Sequence, residues 1–325
     1  MFSWKYKDPV ILILPLARKL CILLLGSIFL LPGCGTKEKW QTSTILAFDT
    51  ICEINIFSSA SMSKSAQEEV QRVFSEIESL FSPGADDYSS PLVLELFERS
   101  LKVYHDSDGC FDVTVAPLSR VWGFFDKSYV VPAPEKIKSV LKVIGMEKIE
   151  QRNEALILLP GMELDWGAIA KGFGIDLASK SLLQMGISRG FINAGGDLYC
   201  WGKNPSDQSW NIGIKHPRES GFLGVLSISN LGAATTGDYQ RYFLKDGVRY
   251  HHVFDPRTGY PAQGKQSVTV CGPETLICDA LSTALFVSQE PTKILERYLD
   301  YGAIIVDSDG NLSFLGKSYP FNPRE

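Results

Sequence analysis

The chain lacks most of the signatures by which a sequence announces its chemistry. There is no basic excess: 32 Lys+Arg stand against 37 Asp+Glu, for a net charge of −5 over 325 residues, so it carries no electrostatic footprint for a nucleic acid. There is no Walker A loop, no dinucleotide fingerprint, no G-x-S-x-G nucleophile elbow and no His/Cys cluster with zinc spacing. No repeat or low-complexity segment occurs. Cysteines number seven, but none pair as C-x-x-C and their spacings fit no disulfide framework. With Cys21 and Cys34 set apart in the N-terminal segment, Cys52, Cys110, Cys200, Cys271 and Cys278 remain, and they are expected to be small buried hydrophobes. A content of 45% hydrophobic and 21% charged residues excludes disorder, collagen and coiled coil, and leaves a folded protein with a core of its own.

The first 34 residues depart from that pattern. Lys5, Lys7, Arg18 and Lys19 face the single acid Asp8, and an uncharged run of 12 residues follows at 20–31, well short of the ~20 residues a membrane-spanning helix needs. A basic start, a short apolar core and small residues before a cleavage point describe a secretory signal peptide. Leu31-Pro32-Gly33-Cys34 then resembles a bacterial lipobox, whose cysteine is lipidated and becomes the new N-terminus. The expected organisation is a lipoprotein signal at 1–33, a polar tether at 34–43 and one domain at 44–325, facing an extracytoplasmic compartment. Because the whole chain carries −5 and the signal +3, the remainder carries −8.

Alternation predicts a strand over 44–57 and apolar steps of three and four predict helices over 70–81, 91–104 and 134–144. The second half changes to short β-rich runs at 210–214, 224–229, 249–254, 267–271 and 303–307, interrupted by helices at about 169–185 and 276–287. Strands and helices mix without the regular alternation of a doubly wound sheet, which predicts an α+β fold, a single mixed domain of strands with flanking helices.

Four segments concentrate Gly, Asp, Thr and His beyond what packing requires. Leu164-Asp165-Trp166-Gly167-Ala168-Ile169-Ala170-Lys171-Gly172 runs from a strand end into a helix start, where backbone N–H groups and Lys171 could meet an anion, or where the chain simply turns. Asn193-Ala194-Gly195-Gly196-Asp197 reads as a tight turn or a close backbone approach. In the stretch from Thr235-Thr236-Gly237-Asp238 to His251-His252-Val253-Phe254-Asp255-Pro256-Arg257, strand alternation sends the two histidines to opposite faces. One of them could then take a proton from a hydroxyl nucleophile. On a helix, Asp279 and Thr283 share a face with Ser282 beside them, a set of oxygens suited to Mg²⁺; equally, Asp279 could cap the helix.

Taken in order, DWGAIAKG, NAGGD, TTGDYQRY, HHVFDPRTGYP and DALSTALF, together with GCFDVTVAPL and Trp122-Gly123-Phe124, resemble the FAD:protein FMN transferase (ApbE) family over about residues 44–316. The resemblance implies a T-fold-like α+β domain that moves the FMN half of FAD, its substrate, to a Ser or Thr hydroxyl of an acceptor protein, with release of AMP and a need for Mg²⁺. It further implies that Asp279, Ser282, Thr283 and the carbonyl of Ala168 hold the metal. Phe48, Val121, Trp122, Gly123, Asp165, Lys171 and Val253 would contact FAD, Trp122 by stacking on the flavin nucleotide. His252, with Asp255 close by, would activate the acceptor, a subunit of a membrane redox complex reached from a lipid-anchored position on the extracytoplasmic face. FAD hydrolysis to FMN and AMP, and flavin binding without catalysis, are the alternative readings.

Two departures from the family pattern stand out. Phe48-Asp49-Thr50 replaces Met-Gly-Thr or Met-Asp-Thr. The Ser-Glu-Leu-Ser-x-Leu-Asn loop is missing, so that Phe81-Ser82-Pro83-Gly84 leads almost directly into the next helix, a shorter cover over the nucleotide.

Overall fold

A computed structural model describes residues 37–324. Its strands are β1 Lys39–Ala47, β2 Thr50–Ser58, β3 Glu150–Arg152, β4 Ala155–Ile157, β5 Gly190–Ala194, β6 Asp197–Trp201, β7 Trp210–Lys215, β8 Phe222–Ile228, β9 Leu231–Gly237, β10 Tyr242–Lys245, β11 Val248–His251, β12 Lys265–Gly272, β13 Gly302–Asp307, β14 Leu312–Gly316 and β15 Phe321–Pro323. The helices are α1 Ala60–Phe81, α2 Pro91–Asp106, α3 Ala116–Val121, α4 Pro134–Val140, α5 Ala170–Gln184, α6 Thr275–Val287 and α7 Pro291–Leu295. Eight strands form one antiparallel sheet in the order β1-β2-β5-β6-β9-β12-β13-β14. The α+β expectation holds.

Helices cover one face of this sheet. On α1, Val70, Val73, Phe74, Ile77 and Phe81 form the buried stripe that the spacing predicts, and Ser59 caps the helix by accepting the Met62 N–H at 3.2 Å. Helix α6 lies deeper: every residue except Thr283 is buried, as expected of a helix that is apolar on nearly all sides. The opposite face of the sheet packs against a smaller sheet, β15-β8-β7, through Leu198, Trp210, Ile214, Leu226 and Ile304. A third cluster, built on Leu118, Trp122, Phe124, Ile137 and Phe254, joins α3 and α4 to the ribbon β10-β11.

The strand expected over 44–57 is a hairpin. Phe48 and Asp49 turn the chain with φ of 54° and 55°, a left-handed pair that hairpins normally fill with Asn-Gly or Asp-Gly. Strand pairing begins at Lys39, opposite Ser58, ahead of the domain start expected at 44. Cys34 and the expected signal segment lie outside the described residues. The five other cysteines are free and buried.

Candidate functional site

The site begins at the contact between α5 and α6. Gly172 brings the two backbones so close that a Cβ on it would lie 2.5 Å from the Thr275 carbonyl oxygen. Its N–H donates to Asp279 Oδ2 at 3.2 Å. In a regular helical turn that N–H would donate to the Ala168 carbonyl. Diverted to Asp279, it leaves Ala168 O without a backbone donor among the described residues. Asp176, one turn further along α5, places both carboxylate oxygens on the first N–H groups of α6, Oδ1 on Thr275 and Oδ2 on Leu276, each at 2.9 Å.

Lys171 is the centre of charge. Its Nζ lies 2.6 Å from Asp197 Oδ2 and 3.5 Å from Asp279 Oδ2. Burial works against its charge, but the two carboxylates outweigh burial and raise its pKa. Asp279 is raised as well, by burial first and by the field of Asp197, with Lys171 opposing. One lysine shared by two carboxylates leaves a surplus negative charge. Asp197 comes from the NAGGD turn, where Gly195 and Gly196 have φ of 65° and 112°, and its Oδ1 accepts the Thr235 N–H at 3.3 Å. The motif is visible in the sequence, but the partnership with Lys171 depends on strand order and could not be read there.

Thr283 and Ser282 differ in their roles. Ser282 is fully buried and donates to Asp279 O at 2.8 Å; Thr236 Oγ1 lies 2.6 Å from Ser282 Oγ and 2.9 Å from Thr283 Oγ1. Each hydroxyl donates one proton, so the chain runs from Thr283 to Thr236 to Ser282 to the carbonyl. Thr283, donating only, therefore keeps its lone pairs for the cavity that it lines. Ser282, expected as a metal ligand, instead fixes Thr236 from behind. Among the described residues no donor engages Asp279 Oδ1 and no group of three or more His, Cys, Asp and Glu side chains could hold a metal. What remains is Asp279 Oδ1, Thr283 Oγ1 and Ala168 O, an all-oxygen set with unused lone pairs, which fits a hard cation.

All these groups line one cavity of about 1610 Å³, together with Phe48, Asp165, His252 and Val253. The Phe48 N–H donates to Glu78 Oε1 at 2.6 Å and its ring packs 4.9 Å from Phe74. Asp165 Oδ1 accepts the Gly167 N–H at 2.9 Å. The shortened segment after α1 still contributes, through Ser82, Pro83, Gly84 and Asp86. The paired histidines separate as alternation predicts. His251 is buried, its Nε2 donating to Ala262 O at 2.8 Å and its Nδ1 accepting the Val253 N–H at 3.3 Å. His252 faces the cavity, with Nδ1 3.2 Å from the Arg241 carbonyl oxygen. A carbonyl accepts only, so Nδ1 carries the proton and Nε2 keeps a lone pair. Burial, then the charge of Arg241, lowers the pKa of His252 from 6.5 to about 3, so the ring is neutral at neutral pH.

Four expected site residues, Val121, Trp122, Gly123 and Asp255, are placed off the cavity by packing. Trp122 is wholly buried, its Nε1 donates to Gly259 O at 2.9 Å, and Tyr250, Phe254 and Tyr260 surround its ring. It anchors the loop after β11 rather than stacking on a ligand. Neither Val121 nor Gly123 lines the cavity; Phe124 and Phe125 do. Asp255 does not line it either. Its carboxylate accepts the Arg257 N–H and guanidinium at 2.8–2.9 Å, so it shapes the loop and is not free to act as a base.

Against known proteins, residues 48–305 match the ApbE family model. An FAD:protein FMN transferase of Haemophilus influenzae is 34% identical over 60% of this chain and 60% of its own length. Another from Treponema pallidum is 31% identical over 78% of this chain and 81% of its own. Among solved structures, the ApbE protein of Thermotoga maritima superposes with a TM-score of 0.79 at 29% identity, covering 85% of this chain and 97% of that one. The flavin transferase ApbE of Vibrio cholerae gives 0.76 at 25% identity, covering 87% and 98%. The chain belongs to the ApbE family.

Proposed function

We propose that the protein transfers the FMN half of FAD to a Ser or Thr hydroxyl of an acceptor protein and releases AMP. The observation that carries this reading is a single cavity lined both by Lys171, held between two buried carboxylates beside unpartnered oxygens, and by His252, a neutral imidazole with a free nitrogen. Relatives that bear the name FAD:protein FMN transferase support the choice of donor and acceptor.

In this reading Phe48, Asp165 and Val253 position the dinucleotide, and Lys171 donates to a diphosphate oxygen while a bound cation would offset the surplus negative charge of Asp197 and Asp279. His252 Nε2 takes the proton of the acceptor hydroxyl while the oxygen forms a bond to the FMN phosphorus. The bond between that phosphorus and the bridging oxygen breaks, and its electron pair leaves with AMP. Burial first, and then the charge of Arg241, holds His252 weakly basic in the free protein; an anionic diphosphate beside Arg241 would offset the second of these. Asp279, Thr283 and the Ala168 carbonyl would hold Mg²⁺, which supplies positive charge to the phosphates.

Acylation of Cys34 would tether the enzyme to the extracytoplasmic membrane face, where the acceptor is a subunit of a redox complex. Labelled palmitate in cells tests this: incorporation is expected, and its persistence in Cys34→Ala would exclude that residue. For the activity itself, the protein is incubated with FAD, Mg²⁺ and an acceptor domain, and the acceptor is weighed by intact mass spectrometry. An FMN adduct with equimolar AMP is the expected result. Free FMN and AMP would mean hydrolysis with water as nucleophile, and intact FAD would mean binding alone.

A further inference from the structure

The cavity is larger than one substrate needs. At about 1610 Å³ it exceeds the roughly 300–1,000 Å³ of small-molecule sites. Part of its wall is an element for which the reaction above has no use: Asn211, Gly213 and Lys215 of β7. This strand is the outer member of its sheet, paired with β8 alone, and no other backbone hydrogen bond among the described residues reaches it. Every second residue of such a strand points its N–H and C=O outward. Here Asn211, Gly213 and Lys215 are exposed while Ile214 is buried. At Gly213 the Phe222 ring lies 2.7 Å from where a Cβ would stand, so a side chain there would collide with it, and the pairing with β8 shifts register between Ile214 and Lys215. Asn193, Thr235 and Thr269 line the same cavity. At the far end Lys215 Nζ lies 5.2 Å from the Tyr239 ring, and Tyr239, Gln240 and Arg241 continue the wall toward His252.

We propose that β7 is the docking edge for the acceptor, whose segment enters extended, adds to β7 as a strand and carries its Ser or Thr to His252. The inference rests on the FMN-transfer reading. A protein acceptor offers its hydroxyl on a short side chain, so its backbone must enter the cavity, where unpaired N–H and C=O groups are costly. A free strand edge satisfies them whatever the side chains are, and flanking groups then select the sequence. Lys215 places a positive charge on this path, which complements an acidic residue in the segment. The ribbon β10-β11 also has free edges, but among the described residues Tyr242–Lys245 and Val248–His251 do not line the cavity, so a segment paired there would run outside it.

The test uses the full chain, with FAD and Mg²⁺ bound, and the flavin-accepting extracytoplasmic domain of a sodium-pumping NADH:quinone reductase as probe. Hydrogen exchange of the amides at 210–215 should slow when the acceptor domain binds. Lys215→Glu should raise the KM for the acceptor at least tenfold and leave the FAD dissociation constant, read from flavin fluorescence, within twofold. Unprotected β7 amides in the complex, or an unchanged KM, would overturn the docking assignment while leaving transfer intact. Absence of transfer by the unaltered protein is a different result: it refutes the activity, and the docking edge with it.

Discussion

Replacing Gly172 by Ala tests whether the spacing of α5 and α6 sets the catalytic geometry. The new methyl would stand 2.5 Å from Thr275 O and 2.7 Å from Leu276 Cα, against the ~3.5–4.0 Å of unstrained contact. Both obstacles are backbone, so the helices must part by roughly 1 Å. Overpacking of this kind costs about 1–3 kcal/mol, while alanine gains ~1 kcal/mol over glycine in a helix. The net cost is about 0–2 kcal/mol, so Tm should fall by at most about 8 °C, at ~2–4 °C per kcal/mol. Activity should suffer more. Gly172 donates to Asp279 Oδ2 and sits beside Lys171, so the same displacement separates the charges that position the diphosphate. A misplacement of ~1 Å costs about 100-fold in rate. The assay is kcat for FMN adduct formation at 25 °C, with circular dichroism to establish that the variant is folded. A folded Gly172→Ala enzyme with the kcat of the parent would refute the reasoning.

Asp197→Asn removes one of the two carboxylates on Lys171; kcat/KM for FAD should drop at least tenfold, and an unchanged value would remove Asp197 from the site. Trp122→Phe strips the donor from Gly259 O, a buried hydrogen bond whose loss costs about 1–3 kcal/mol. Chemical denaturation should register that cost while FAD affinity stays within twofold; a large loss of affinity would restore a stacking role. His252 titrates near 3 in the folded protein against 6.5 when unfolded, and His251 is lowered in the same direction. The unfolded chain therefore binds more protons below pH 6.5, so this part of the stability is complete above that pH and is lost as pH falls toward 3. Urea midpoints between pH 7.5 and 5.0 should fall less steeply for His252→Gln than for the parent, and identical slopes would show that the ring is not held neutral by the fold.

Most of the helices were legible because their apolar stripes pack on a single sheet face; α1 and α2 keep the spacing read from Val70–Phe81 and Val93–Tyr104. The hairpin at Phe48-Asp49 was not legible. Its left-handed residues are not the usual glycine or asparagine, and the Glu78 carboxylate that receives the Phe48 N–H is 30 residues away. In the site, the motifs named the correct segments, yet their side chains sorted by burial in ways that spacing does not encode. Trp122 and Ser282 turned inward, Asp255 closed on Arg257, and Asp197 joined Lys171 because α5 packs against β6. Alternation did separate His251 from His252, because a two-residue period decides which face each one sees.

In the proposed reading one cavity binds FAD through Lys171 and its neighbours and activates the acceptor through His252. His252→Ala tests this division most directly, with FAD binding measured by flavin fluorescence and single-turnover adduct formation measured on the same sample. Retained FAD affinity with adduct formation slowed at least 100-fold, in line with the ~10²–10⁴-fold worth of a general base, is the expected result. Full-rate adduct formation by His252→Ala would contradict it.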